Sequence, residues 1–295
     1  MKSVQLDLNN IKPVCDNLSI CLGYFDGVHL GHKKLISFAK DNAKYPLGLL
    51  TFSCPVSEFI PNQKSKEIIT SLTDRFRIIS RFNLDYYFVL HINKDFLNYS
   101  SFEFIELLKK LNVKEIFIGN DYRYGKDRSG TIELLNEHFI VHVVDMVLEN
   151  NEKISTQQII SLLKNGEIIE ANHLLGQHYQ MCGTIVEGHH NGEKFGIRTA
   201  NVKLDANYVI PKYGVYKVIA YIDGVPYRAI ANIGVHPSID EEKKPLLEVH
   251  IPNYNSLDYG KNIYVEFLDF VRPERKFANT DELIKQIKKD IELVK

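Results

Sequence analysis

The stretch CLGYFDGVHLGHKKLISFAK, residues 21–40, decides how the first half of the chain folds. It opens at the end of an apolar run, turns between Gly23 and Gly27, and continues with apolar residues at helical spacing. This pattern predicts a strand, a tight loop and a helix. His29 and His32 lie three residues apart at the entrance of the helix, so both imidazoles can project from one side of its first turn.

The entrance of this helix is suited to an anion. Gly31 stands between the two histidines and carries no side chain, which lets a ligand approach the backbone. Unpaired N–H groups and the positive end of the helix dipole point the same way, so phosphate is the expected ligand. Two histidines on a loop are more often surface residues than catalysts, but the full string G-Y-F-D-G-V-H-L-G-H is far more specific than the pair.

Apolar runs alternate with helical patterns through the first half of the chain. Strands are predicted at residues 47–52, 85–92, 115–118 and 139–145, with helices at 72–82, after Ser100, at 156–164 and at 167–175. Such alternation predicts a parallel sheet covered on both faces. Ligands collect at the carboxyl ends of the strands in these sheets, which is where the His29 loop lies.

A second notable loop, GNDYRYGKDRSG, follows the fourth strand at residues 119–130. Its glycines, two aromatic residues and charges predict a loop that stacks on a planar ring and binds polar edges. A flexible charged loop is the alternative interpretation of the same residues.

The first of these strings resembles the H-x-G-H nucleotidyltransferase superfamily. In the form G-x-F-D-G-x-H-x-G-H it is similar to the adenylyltransferase half of prokaryotic bifunctional riboflavin kinase/FAD synthetases. The resemblance implies that His29 and His32 are catalytic. The ATP-binding residues that it implies are Gly23, Phe25, Asp26, Gly27, His29, Gly31 and His32.

The second loop resembles the G-x-D-F-R-F-G-x-x-R-x-G motif of the same family, with Tyr in place of Phe twice. The pocket for FMN and nucleotide that this implies is formed by Asp121, Tyr122, Arg123, Tyr124, Gly125, Arg128 and Gly130. Two other segments depart from the family. STQQII at residues 155–160 lacks the arginine expected to meet the triphosphate, and FSCPVS at residues 52–57 replaces F-x-P-H-P.

The character of the sequence changes near residues 176–181. Short alternating runs follow at residues 182–186, 202–204, 213–222, 227–233, 246–251 and 261–268. Successive strands without helices predict an antiparallel barrel, and a final amphipathic helix begins with Asn279 and Glu282 placed as a capping box. The predicted domains are an α/β nucleotidyltransferase domain at 1–178, with a Rossmann-like parallel sheet, and a mainly-β barrel domain at 179–295.

This second half resembles the riboflavin kinase part of the same family. FGIRTAN at 195–201, ANIGVHPS at 231–238 and LEVHI at 247–251 are similar to its motifs, in the expected order. The resemblance implies that Thr199 and Asn201 bind Mg²⁺ and the ATP phosphates. It also implies that Glu248 is the base that deprotonates the ribityl hydroxyl of riboflavin. The family carries proline where this chain has Arg198.

Composition limits the remaining function classes. The chain has 295 residues, with 36 basic and 37 acidic residues, so nothing favours nucleic acid as a partner. The four cysteines form no C-x-x-C pair and are expected to be free thiols in a reducing cytosol. A polar amino terminus and short apolar runs predict no signal peptide and no membrane span, so the expected location is the cytoplasm.

Together these features predict a two-site enzyme of flavin biosynthesis. ATP would phosphorylate riboflavin to FMN at the barrel and adenylylate FMN to FAD at the α/β domain, with Mg²⁺ as cofactor and pyrophosphate released. The expected partners are small molecules alone, and the expected state is a monomer or a weak homo-oligomer. Two alternatives stay open: a FAD synthetase with an inactive kinase-like domain, and a flavin- or nucleotide-binding regulator without turnover.

Overall fold

The computed structural model describes residues 1–60, 67–149, 151–187, 198–235, 245–254, 256, 258–275 and 277–294. The chain forms two compact units. The first comprises Met1–Lys66 and Ser71–Ser155, and the second comprises Glu67–Thr70 and Thr156–Lys295. No helix in the described ranges is long and apolar enough to cross a membrane.

The first unit is an α/β structure. Its strands are β1 (Lys2–Asp7), β2 (Leu18–Leu22), β3 (Leu47–Phe52), β4 (Tyr86–His91), β5 (Val113–Gly119), β6 (Ile140–Val144), β7 (Leu148–Glu149) and β8 (Glu152–Lys153). Its helices are α1 (Leu30–Asn42), α2 (Leu72–Ser80), α3 (Ser101–Lys110) and α4 (Ile132–Asn136). The strand–loop–helix predicted at residues 21–40 is thus confirmed.

The first six strands form one parallel sheet in the order β1-β4-β3-β2-β5-β6. The chain moves from β2 to β3 and β4 on one side, then returns to β5 on the other side of β2. The strand order therefore reverses between β2 and β5, which places a crevice at the carboxyl ends of these two strands. All five residues of β2 are buried, because helices and loops cover both faces of the sheet.

Two serines begin helices in this unit. The Ser100 side chain accepts from the backbone N–H of Glu103, and the Glu103 carboxylate accepts from Ser100, so the predicted capping box is confirmed. Ser71 and Asp74 form a second capping box, which starts α2. Such caps contribute about 1 kcal/mol each and fix where the helices start.

A buried carboxylate joins β2, β5 and β6 at the amino-terminal edge of the sheet. Glu115 is 0% exposed and accepts hydrogen bonds from the Ser19 hydroxyl at 2.5 Å, the Lys44 backbone N–H at 2.9 Å and His142 Nε2 at 2.8 Å. Burial raises the pKa of the Glu115 carboxyl, but these three donors outweigh it, and the pKa is lowered. The charge therefore stays on Glu115 at neutral pH.

The second unit contains a closed antiparallel barrel. Its elements are α5 (Thr156–Asn165), α6 (Ile168–Leu175), β9 (Tyr179–Val186), β10 (Ala200–Leu204), β11 (Gly214–Ile222), β12 (Val225–Val235), β13 (Pro245–His250), β14 (Asn262–Pro273) and α7 (Thr280–Glu292). The strands close in the order β10-β13-β12-β11-β14-β9, so the antiparallel barrel that the sequence pattern predicts is confirmed. The Phe267 ring packs against the rings of Tyr179 and Tyr216.

The helices α5 and α6 belong to this compact unit. Asn172 of α6 donates to the Phe267 carbonyl at 2.8 Å and accepts from the Tyr179 backbone N–H at 2.6 Å. Gly176 ends α6 in the left-handed conformation with φ 63°, which confirms its predicted role as a cap. The predicted domain ranges, 1–178 and 179–295, stay a prediction.

The last helix packs on the barrel, as predicted. Val294, two residues beyond the end of α7, forms a small apolar cluster with Val215 and Ile230, and Asp290 pairs with Arg272 at 2.7 Å. The predicted capping box at its start is wrong in one half. Asn279 accepts from the Glu282 backbone N–H, but the Glu282 carboxylate accepts from the backbone of residue 278 instead of that of Asn279.

The four cysteines, Cys15, Cys21, Cys54 and Cys182, are free thiols, in agreement with the sequence.

Candidate active sites

The loop after β2 has an unusual backbone. Phe25, Gly27 and Val28 have φ values of 55°, 75° and 44°. A left-handed conformation is uncommon for a non-glycine residue and strained for a β-branched one. Burial of Phe25 at 1% and of Val28 at 0% exposure holds this backbone in place. The loop therefore presents His29 in one fixed position at the start of α1.

His29 and His32 lie against each other. Their ring centroids are 3.7 Å apart and their planes differ by 22°, while the Phe25 ring contacts His32 edge-on at 5.1 Å. A Cβ on Gly31 would lie 3.1 Å from His29 Nδ1, so a glycine here leaves room for the ring. The Nδ1 atoms of both histidines are buried and have no hydrogen-bond partner within the described parts of the chain.

Both histidines are neutral at neutral pH. Burial, together with the charge of Lys153, lowers the pKa of His29 to about 4. Burial is the main cause that lowers the pKa of His32 well below its usual value of 6.5, and the nearby His29, Arg75 and Lys153 lower it further. Each ring therefore offers one N–H donor and one acceptor and carries no charge.

The N-terminus of α1 provides further donors. No side chain among the described residues caps this end of the helix. The first N–H groups of a helix lack intrahelical partners and lie at the positive end of its dipole. His29, His32 and this helix end thus form one group of donors at the carboxyl edge of the sheet, suited to the oxygens of a phosphate chain.

Arg75 holds the loop after β2 by hydrogen bonds, a role that was not predicted from the sequence. Its side chain is almost fully buried, and Nη1 donates to the Tyr24 carbonyl at 2.8 Å and the Thr51 hydroxyl at 2.9 Å. The guanidinium also lies 4.5 Å from the centroid of the Tyr24 ring. None of the ion pairs in the described structure involves Arg75, so its charge meets neutral acceptors alone. Arg75 lies on the face of α2 that also buries Ile78 and Ile79. This helical spacing is the sequence feature from which its burial could have been predicted.

The loop at residues 119–130 is held by close packing. The Tyr124 ring lies in the core, 5.2 Å from Phe104, and a Cβ on Gly130 would approach it to 2.6 Å. Gly125 has φ 72°, and a Cβ there would lie 2.8 Å from the Ser101 backbone nitrogen. Burial raises the pKa of Tyr124 to about 12, so its hydroxyl stays protonated. Tyr124 thus supports the loop from the inside.

The other predicted residues of this loop lie nearer the surface. The Tyr122 ring stacks on Tyr124 at 6.0 Å, whereas Arg123 and Arg128 are exposed. Asp121 is exposed too and pairs with the ammonium of Lys153 on β8. The structure brings Asp121 and the His29 loop to the ends of the neighbouring strands β5 and β2.

Three polar side chains lie side by side on neighbouring strands of the barrel. Asn201 on β10 lies opposite Glu248 on β13, and Glu248 lies opposite Asn232 on β12. Directly opposite residues of antiparallel strands point to the same face, with Cβ atoms about 5 Å apart. All three are partly exposed. Asn232 belongs to the motif at residues 231–238 but was not predicted as a site residue, because register is not visible in one strand alone.

Thr199 and Arg198 directly precede β10. The Arg198 carbonyl is within hydrogen-bond distance of His250 Nδ1, at 2.7 Å, so β13 contacts the backbone at the position where this chain has arginine instead of proline. Thr199 is exposed and stands two residues from Asn201. Residues 195–197 and 236–238, the rest of the two predicted motifs, lie outside the described residues.

The α/β unit has a histidine pair at the point where its strand order reverses, which defines it as a nucleotidyltransferase-type unit. The barrel has a carboxylate between two amides, which defines a kinase-type unit in the same chain. The FAD synthetase family matches residues 12–158, and the riboflavin kinase family matches residues 175–295. The chain belongs to the bifunctional riboflavin kinase/FMN adenylyltransferase family.

Curated relatives match over nearly the full length. The bifunctional riboflavin kinase/FMN adenylyltransferase of Bacillus subtilis is 36% identical, over 92% of this chain and 89% of the relative. The protein of that name from Buchnera aphidicola of Schizaphis graminum is 35% identical, over 98% and 96%. That of Escherichia coli K12 is 29% identical, over 92% and 90%.

A solved structure from Streptococcus pneumoniae, titled as a macrolide-efflux protein, has the same fold. It superimposes with a TM-score of 0.90 at 30% identity and covers 99% of this chain and 98% of its own. Its title differs from the names of the curated relatives, while its fold agrees with both family matches.

Proposed function

We propose that the chain makes both flavin cofactors, FMN from riboflavin at the barrel and FAD from FMN at the α/β unit. The observation that carries the proposal is the presence, in one chain, of a neutral histidine pair at an uncapped helix end and of a carboxylate between two amides on the barrel. The first arrangement suits an anionic phosphate chain, and the second supplies a base beside oxygen ligands. A binding protein has no need of the base.

At the first site a phosphate oxygen of FMN attacks the α-phosphorus of ATP. The new P–O bond forms as the bond to pyrophosphate breaks, so pyrophosphate leaves and FAD remains. Such a transfer needs alignment and neutralisation of charge more than a covalent nucleophile. His29 and His32 donate their N–H groups to phosphate oxygens, and the N-terminus of α1 adds its dipole.

The flavin lies at the loop of residues 119–130 in this proposal. Tyr122 offers a ring face for the isoalloxazine, and Tyr124 supports it from the core. Asp121, Arg123 and Arg128 are exposed and available for polar contacts. Gly125 and Gly130 permit the tight packing that fixes these side chains.

At the second site Glu248 takes the proton from the terminal ribityl hydroxyl. The hydroxyl oxygen then attacks the γ-phosphorus of ATP, and ADP leaves. General base catalysis of this kind contributes about a hundredfold to ten-thousandfold. Asn201 and Asn232 flank the carboxylate and orient it.

Magnesium fits the residues at the start of β10. The Thr199 hydroxyl and the Asn201 amide supply oxygen donors, which Mg²⁺ prefers, and Asn201 lies directly opposite the Glu248 carboxylate. Mg²⁺ usually takes few protein ligands and completes its shell with water and phosphate oxygens. When bound, it neutralises the phosphates that Thr199 and Asn201 position. We further propose domains at 1–178 and 179–295, and a cytoplasmic monomer or weak homo-oligomer.

Two variants test the proposal, with flavins separated by chromatography after incubation with Mg-ATP. His32→Ala is expected to make FMN from riboflavin but to lose about a hundredfold or more in FAD formation. Glu248→Gln is expected to lose riboflavin phosphorylation and keep FMN adenylylation. Each variant is the folding control for the other site.

Other outcomes favour the alternatives. Wild-type protein that converts FMN to FAD and leaves riboflavin untouched would be a FAD synthetase alone, with Arg198 as the first residue to examine. Tight flavin retention without ATP consumption would indicate a regulator.

A further inference from the structure

Lys153 lies at the crevice between β2 and β5. It is the last residue of β8, in the small hairpin that β7 and β8 form after the sheet. Its ammonium pairs with Asp121, two residues beyond the carboxyl end of β5. β5 is the direct neighbour of β2, whose carboxyl end leads to His29. Lys153 therefore stands at the point where the strand order reverses.

The first site needs a cation that its histidines do not provide. Transfer to the α-phosphorus leaves pyrophosphate, and cations commonly stabilise the charge that develops on transferred phosphates. His29 and His32 are neutral at neutral pH. Residues 155–160, at the start of the next helix, include no lysine or arginine.

The positive charge of Lys153 interacts with both histidines. Its charge contributes to the lowered pKa of His29 and of His32, whereas Arg75 contributes to that of His32 alone. Asp121 faces Lys153 from the loop after β5. Both partners of this ion pair are substantially exposed, at 40% and 53%. An exposed ion pair contributes little free energy, so a phosphate oxygen can replace the carboxylate easily.

We propose that Lys153 binds the phosphate chain of the nucleotide at the first site, exchanging the Asp121 carboxylate for a phosphate oxygen. Asp121 holds the ammonium in place while the site is empty. The inference rests on the proposed adenylylation, for which Lys153 supplies a mobile positive charge beside two neutral donors. Arg75 is held by its hydrogen bonds to Tyr24 and Thr51, whereas the exposed ammonium of Lys153 can follow the leaving pyrophosphate.

The test compares Lys153→Met with a matched control, Lys109→Met. Lys109 has a similar exposure of 43% and a similar ion pair, with Glu106 of the same helix α3. Two quantities are measured for both variants. The first is the KM for ATP in FMN adenylylation, and the second is the affinity of the full-length protein for inorganic pyrophosphate, by calorimetry. Because one charge-assisted hydrogen bond of ordinary strength is removed, Lys153→Met should raise the KM for ATP and weaken the pyrophosphate affinity by about tenfold to a hundredfold each. Lys109→Met is expected to match the wild type, and Lys153→Arg to recover most of the loss.

Several results would overturn the inference. One is an unchanged KM for ATP and an unchanged pyrophosphate affinity in Lys153→Met. Another is an equal loss in Lys109→Met, which would indicate a general effect of charge. Riboflavin phosphorylation in the same samples reports whether the variants are folded. If the wild type forms no FAD, the proposed adenylylation is wrong, and pyrophosphate calorimetry alone still decides whether Lys153 binds phosphate.

Discussion

The buried His29 makes the stability of the α/β unit depend on pH. Its pKa is about 4 in the folded chain, against the usual 6.5, and the side chain is 6% exposed. Below pH 6.5 the unfolded chain takes up a proton that the folded chain excludes, so stability is complete above that pH and is lost as the pH falls toward 4. Each pH unit in this window corresponds to about 1.4 kcal/mol.

The expected loss at pH 5 relative to pH 7 is therefore about 2 kcal/mol for His29. The lowered pKa of His32 adds to it in the same direction. Hydrogen exchange of the amides in β2 and α1 is the suitable assay, because a chain of two units need not unfold in one step. His29→Gln is the comparison, since glutamine keeps a polar side chain that does not titrate.

The wild type should lose clearly more protection between pH 7 and pH 5 than His29→Gln, which retains the contribution of His32 alone. An equal pH dependence in the two proteins would refute the reasoning. So would an NMR titration in which His29 takes up its proton near the usual pH. The same reasoning predicts that FMN adenylylation shows no histidine titration between pH 6 and pH 8.

Three further substitutions have defined outcomes. Arg75→Met loses the charge-assisted hydrogen bonds to Tyr24 and Thr51 and should cost the α/β unit about 3 kcal/mol, with FAD formation reduced and riboflavin phosphorylation kept in a thermal-shift and activity comparison. Glu115→Gln removes a buried charge with three donors and should destabilise the same unit by about 3 kcal/mol at pH 7; the difference should shrink as the pH falls, because Glu115 has a lowered pKa and becomes protonated in the wild type. Gly183→Ala places a Cβ 2.3 Å from the Lys203 carbonyl oxygen on the neighbouring strand and should destabilise the barrel by about 3 kcal/mol, so kinase activity is lost at a lower temperature than adenylylation. Unchanged stability in any of the three variants would contradict the contacts given for the substituted residue.

The sequence predicted the elements that carry a long apolar pattern. The strands of the sheet centre and the helices with capping residues were found because burial on one or both faces imposes a period that a single sequence displays. β1 was missed, since five of its six side chains, all but Leu6, are exposed or partly exposed at the edge of the sheet. The two-residue strands β7 and β8 and the five-residue helix α4 are too short to show any period.

The candidate sites were predictable to the extent that they lie in continuous motifs. His29 and His32 stand in one string, and their position at the start of α1 is confirmed by the structure. The neutrality of the pair depends on burial and on two charges from elsewhere, Arg75 and Lys153, which no local pattern reveals. Likewise, the row that joins Asn232 to Glu248 depends on strand register, and register is a property of two strands together.

The most direct test of the two-site account uses riboflavin with ATP labelled at either the α- or the γ-phosphorus, followed by separation of the flavins. The account predicts γ-label in FMN and in FAD, since the barrel transfers the γ-phosphoryl group and FMN then passes into FAD. It predicts α-label in FAD alone, because the adenylyl group enters at the second step. FAD without α-label, or FMN that carries it, would contradict the account.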